Sequence, residues 1–108
     1  MVNCPLVLIC DDDPVVHESL GIYLDSEGYA HRSAYDGTQA LEMKKTEKPD
    51  LIVLDLMMPG MSGIDVCRTI RQTDRVPIIM LTAKGDVHYS FLACGKYCGV
   101  SLEINAGT

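Results

Sequence analysis

The chain switches repeatedly between two hydrophobic periods. Residues 6–10 (Leu-Val-Leu-Ile-Cys) and 51–54 (Leu-Ile-Val-Leu) are unbroken apolar runs. Runs of this length read as strands buried on both faces, as in a parallel sheet. Residues 77–81 form a third such run, and residues 29–34 a shorter, more polar one. Between these runs the period lengthens. Val16, Leu20 and Leu24, joined by Tyr23, make a helical stripe. That stripe follows Asp13-Pro14, an N-cap with proline at the first helical position, and Gly28 is a natural stop. Asp36-Gly37 opens a second helix carrying Ala40 and Leu41, which must end before Pro49. A loop over residues 60–63 leads to a third helix with Ile64, Cys67 and Ile70 on one face.

This βαβαβαβ alternation predicts an α/β fold around a parallel sheet. Right-handed crossovers put helices on both faces. Residues 87–108 are the least regular. Phe91, Leu92 and Cys94 suggest part of a fourth helix, whereas Val100, Leu102 and Ile104 alternate with Ser101 and Glu103 as in a half-exposed strand.

Composition narrows the class. A chain of 108 residues, 47% apolar, is expected to be one domain with a real core. Its net charge of −6 argues against sequence-independent nucleic-acid binding. No stretch approaches the ~20 apolar residues of a membrane span, and the N-terminus lacks a secretion-signal layout, so a cytoplasmic setting is expected. The five cysteines, Cys4, Cys10, Cys67, Cys94 and Cys98, include no C-x-x-C pair and read as scattered thiols of a reduced compartment.

Candidate chemistry sits where two apolar runs end. The first is followed by Asp11-Asp12-Asp13, the second by Asp55. In parallel sheets functional groups collect at the carboxyl ends of strands. Carboxylates converging there repel unless a cation sits among them. All-oxygen donors suit Mg²⁺, with Asp11, Asp12 and Asp55 as ligands and the carbonyl of Met57 as the simplest further oxygen. A carboxylate at such a site can also attack phosphorus and form an aspartyl phosphate. Thr82, ending the fourth strand, places a hydroxyl at the same edge. Asp13 reads as a helix cap rather than a ligand.

Three segments carry a family resemblance: residues 7–14 (Val-Leu-Ile-Cys-Asp-Asp-Asp-Pro), 50–63 (Asp-Leu-Ile-Val-Leu-Asp-Leu-Met-Met-Pro-Gly-Met-Ser-Gly) and 76–84 (Val-Pro-Ile-Ile-Met-Leu-Thr-Ala-Lys). In this order and at these separations they resemble a response-regulator receiver domain of two-component signalling. The resemblance covers about residues 5–86. It implies a flavodoxin-like, doubly wound parallel sheet in the order 2-1-3-4-5, flanked by five helices. It further implies Asp55 as phosphoacceptor, Asp11 and Asp12 as the Mg²⁺-holding pair, and Met57 as a carbonyl ligand. Thr82 matches the switch hydroxyl and Ala83 the small residue beside it. The implied partners are a sensor histidine kinase and a C-terminal output domain beyond this chain. Such a module catalyses only its own phosphorylation and dephosphorylation.

The sequence departs from that pattern after Asp86. The family lysine at the end of strand five falls near Ile104 here, and no Lys-Pro pair follows Lys84. Lys96 lies too early, and the aromatic switch position falls on Ser101 or Leu102, with Tyr97 the nearest aromatic. A fifth helix is missing from the pattern. The abrupt break favours a tail foreign to the domain, through a shifted frame or truncation. An uncovered sheet face would then favour a homodimer or swapped dimer. The alternative function is a non-switching receiver that serves only as an interaction module.

Overall fold

The computed structural model describes residues 4–84, 88–93 and 101–105, with side chains described for residues 4–81. The elements run β1 (Leu6–Cys10), α1 (Pro14–Ser26), β2 (Ala30–Ala34), α2 (Gly37–Glu47), β3 (Leu51–Asp55), α3 (Gly63–Arg71), β4 (Ile78–Lys84), β5 (His88–Ala93) and β6 (Ser101–Asn105). They form one sheet in the order β2-β1-β3-β4-β5-β6. The first four strands are parallel, as expected: Cys10 lies beside Leu54, and Asp55 beside Leu81.

Local chemistry sets the helix starts. Asp13 caps α1 by accepting the Val15 N–H at 3.0 Å, with Pro14 at the first helical position. Asp36 caps α2 through Gln39 N–H at 2.8 Å, and Ser62 caps α3. After α1, Gly28 takes φ +81°, a conformation that favours glycine.

The core lies on both sheet faces. On one, Leu8, Cys10, Ile52, Leu54, Ile78 and Met80 pack with Ala40 of α2 and Val66, Cys67 and Ile70 of α3. On the other, Val7, Ile9, Val53 and Leu81 pack with Leu24 of α1, flanked by Val16 and Leu20. An ion pair between Lys44 Nζ and Asp74 at 2.8 Å ties α2 to the segment after α3.

The structure departs from the sequence pattern at several positions. Tyr23 is exposed; the buried positions of α1 are His17, Gly21 and Leu24, so the stripe lies one side of where Tyr23 points. Ile64 is also exposed, and Val66 takes its place in the core. Cys67 is buried in the core and is not among the free cysteines of the described residues, which are Cys4 and Cys10.

The largest departure follows β4. The fourth helix expected around Phe91 and Leu92 is instead strand β5, antiparallel to β4, with Leu81 beside Phe91. The cause is in the residues: His-Tyr-Ser-Phe-Leu-Ala alternates aromatic β-formers, and β4 runs on to Lys84 and offers it an edge. The alternating segment near residue 104 is a strand, as expected, but it is β6 and pairs with β5 rather than with β4. Cys94 and residues 106–108 lie outside the described residues.

Candidate functional site

Strand ends bring the acids together. β1 and β3 are neighbours in register, so the residues following Cys10 and Leu54 emerge at the same edge. One carboxylate oxygen each from Asp11, Asp12 and Asp55 lies within 4.8 Å of the others. Asp11 is buried, Asp55 half-buried and Asp12 exposed.

Asp11 is held by three contacts. Its N–H donates to Ala34 O at 3.1 Å, which anchors it to the end of β2. Its Oδ1 accepts the Asp13 N–H at 2.8 Å. Its carbonyl accepts from His17 Nε2 at 2.7 Å. Asp55 Oδ1 accepts the Met57 N–H at 3.2 Å, while the Leu56 N–H donates to Leu81 O at 3.2 Å. The loop beyond closes where Gly63 N–H donates to Leu56 O at 3.0 Å.

The electrostatics follow from this crowding. Burial pushes the Asp11 carboxyl up to about 6, reinforced by the charges of Asp55, Asp12 and Asp13 and opposed by the Asp13 N–H. Burial likewise raises Asp55, with Asp12 and Asp13 adding to it and the Met57 N–H opposing it. No lysine or arginine contacts these carboxylates among the described side chains. Three hard oxygen donors at one edge, short of positive charge, are a donor set that fits a cation such as Mg²⁺.

The other expected residues fall as follows. Met57 presents an exposed thioether and gives its amide to Asp55. Thr82 lies in β4, one residue past the Leu81 that pairs with Asp55; its side chain is outside those described. Ile104 pairs with Tyr89, which pairs with Ala83, so Ile104 stands two strands from β4. Asp13 is a cap, as its spacing before Pro14 suggests.

One residue of the site escaped the apolar stripe. His17 is buried, and its spacing with Gly21 and Leu24 is the helical signal that could have found it.

The profile of the family described as response regulator receiver domain matches residues 7–96. The chain belongs to this family. Among receiver-bearing relatives, the DNA-binding response regulator MtrA of Mycolicibacterium smegmatis is 52% identical over 80 residues, covering 74% of this chain and 35% of the relative. The transcriptional regulatory protein AfsQ1 of Streptomyces coelicolor is 43% identical over 82 residues, 76% of this chain and 36% of the relative. The chain therefore spans about a third of the length of these relatives. Solved receivers share the fold. A response regulator receiver protein of Pseudomonas putida is 34% identical, with TM-score 0.71, over 80% of this chain and 74% of that one. The BeF3-activated N-terminal receiver domain of Klebsiella pneumoniae RstA is 33% identical, with TM-score 0.71, over 75% of this chain and 69% of that one. No helix among the described residues is long and apolar enough to cross a membrane.

Proposed function

We propose that this receiver is a phosphoacceptor module, with Asp55 the residue that carries the phosphoryl group. The observation behind it is the convergence of Asp11, Asp12 and Asp55 at the carboxyl edge of β1 and β3. One Asp55 oxygen is engaged by the Met57 N–H, leaving the other to attack phosphorus. As the new O–P bond forms, the bond from phosphorus to the donor's leaving group breaks. Asp11, Asp12, Asp55 and the Met57 carbonyl would hold Mg²⁺, which supplies positive charge against the phosphoryl oxygens. The family resemblance assigns Thr82 as the switch hydroxyl and Ala83 as the small residue beside it.

The donor is a sensor histidine kinase in the cytoplasm, and the switch acts on a partner or an output domain. MtrA and AfsQ1 support that assignment, since their names make them transcriptional or DNA-binding regulators about three times as long as the matched region. The receiver itself is a switch, not a turnover enzyme on an external substrate.

Exposing the chain to acetyl phosphate with Mg²⁺ and measuring intact mass tests this. An acid-labile adduct is expected on the wild type and not on Asp55→Asn. A wild type without adduct overturns the phosphoacceptor role. A second function, a receiver that binds partners without switching, is favoured by one observation: β5 stands between β4 and the strand carrying Ile104. It predicts an adduct that leaves oligomeric state and amide exchange unchanged.

A further inference from the structure

We propose that His17 is a positioning residue for the cation-binding acids, holding the Asp11–Asp12 peptide in the orientation that turns both carboxylates toward Asp55. This rests on the cation site proposed above.

A carbonyl only accepts, so the hydrogen bond of 2.7 Å to Asp11 O places the ring hydrogen of His17 on Nε2. His17 is 6% exposed, and its Nδ1 is buried without a hydrogen-bond partner among the described residues. An orphaned buried nitrogen is costly, and an apolar residue of similar shape would avoid it. As a packing residue alone, histidine is a poor choice here. What it supplies that an apolar ring does not is the Nε2–H donor to Asp11.

The geometry gives that donor a specific task. The Asp11 carbonyl belongs to the peptide that leads into Asp12. Exposed Asp12 has no side-chain hydrogen bond among the described residues, so its carboxylate is placed by its backbone alone. The other two contacts of Asp11, to Ala34 O and from Asp13 N–H, fix its amide and its side chain but not the plane of that following peptide. His17 supplies the missing constraint. The ring is itself held in place by Tyr35, whose centroid lies 4.3 Å away at an interplanar angle of 41°. The chain of contacts therefore runs from the end of β2, through Tyr35 and His17, to the acids.

The test is Mg²⁺ binding to the full chain by calorimetry, well below the melting temperature. His17→Phe keeps a ring against Tyr35 and removes the donor; His17→Gln keeps a donor near the Nε2 position. Loss of a group that orients metal ligands typically weakens affinity about 10-fold or more, so His17→Phe should raise the Mg²⁺ Kd by about that factor, with His17→Gln within about two-fold of wild type. A purely structural histidine would lower the melting temperature of His17→Phe and leave its Kd unmoved, which overturns the proposal while the cation site stands. A wild type with no Mg²⁺ heat beyond that of Asp55→Asn overturns the site and the proposal together. Should His17→Phe not fold, the wild type decides through its Nε2–H resonance. That signal is expected to shift on Mg²⁺ saturation, and a resonance that stays in place overturns the proposal.

Discussion

Gly63 packs directly against the peptide that leaves Asp55. A Cβ on Gly63 would come within 2.8 Å of Leu56 Cα and 2.9 Å of the Asp55 carbonyl carbon, and would also strike the Asp55 carbonyl oxygen. These are backbone atoms at the end of a buried strand, so they cannot swing aside as a flexible side chain would. Gly63→Ala should therefore displace the Asp55 loop and destabilise the fold by about 1–3 kcal/mol, the usual range for overpacking. Urea denaturation measures the loss, and phosphorylation by acetyl phosphate should slow in parallel. An unchanged urea midpoint would show that the loop yields freely.

The raised Asp11 carboxyl should make binding at the proposed cation site dependent on pH. Its folded value of about 6 stands above its ordinary 3.8, so the folded state holds the proton more tightly. Asp11 thus favours folding below the ordinary value, and that contribution is lost as pH rises from 3.8 through about 6. Cation binding needs the carboxylate and runs the other way. The rise in melting temperature on adding Mg²⁺ should be full above pH about 7 and fade as pH falls through about 6. A Mg²⁺ shift as large at pH about 5 as at pH about 7.5 would sink this account.

Asp11→Asn separates the same two effects. Asparagine keeps an oxygen for the Asp13 N–H and removes a buried charge from the neighbourhood of Asp55 and Asp12. Without metal the variant should be more stable than wild type at neutral pH, by about 1–2 kcal/mol after allowing for solvent screening. In Mg²⁺ that order should reverse, because only the wild type keeps all three carboxylates for the proposed cation. Melting curves with Mg²⁺ and with chelator give both comparisons.

The acid-tipped strands were legible because a buried parallel strand leaves a long apolar run and the residue after it must face the edge. Leu6–Cys10 and Leu51–Asp55 therefore announced Asp11, Asp12 and Asp55 together. Asp13-Pro14 announced the start of α1 for an equally local reason, a cap that needs no partner from elsewhere. His17 does not register in an apolar stripe because it is polar; its helical spacing with Gly21 and Leu24 marks the buried face, but its partners Tyr35 and Asp11 are brought to it only by the tertiary fold. β5 departs from the expected helix for a similar reason. Phe91, Leu92 and Cys94 fit a helix face by spacing, and strand pairing along the extended β4 overrode that spacing for residues 88–93. Ile104 lies in a strand, as its alternation predicts, yet its distance from β4 depends on the intervening β5 rather than on its own pattern.

The cap of α2 offers a control for effects that reach the acids only through stability. Asp36 Oδ1 accepts the Gln39 N–H at 2.8 Å, and Gln39 Oε1 accepts the Tyr35 N–H at 3.0 Å. The two side chains close the helix start reciprocally, and Tyr35 in turn touches His17. Removing the cap by Asp36→Ala should cost about 1 kcal/mol, or about 4–8 °C in melting temperature for a domain of this size. Asp36→Asn, which keeps an acceptor, should lose much less. Backbone pairing of β2 with β1 still fixes the Ala34 carbonyl that receives the Asp11 N–H. The Mg²⁺ Kd of folded Asp36→Ala should therefore stay within about two-fold of wild type, in contrast to a lost metal-orienting contact. A Kd that weakens as much as stability falls would mean that α2 itself, and not the β2 strand end, holds the acids in place.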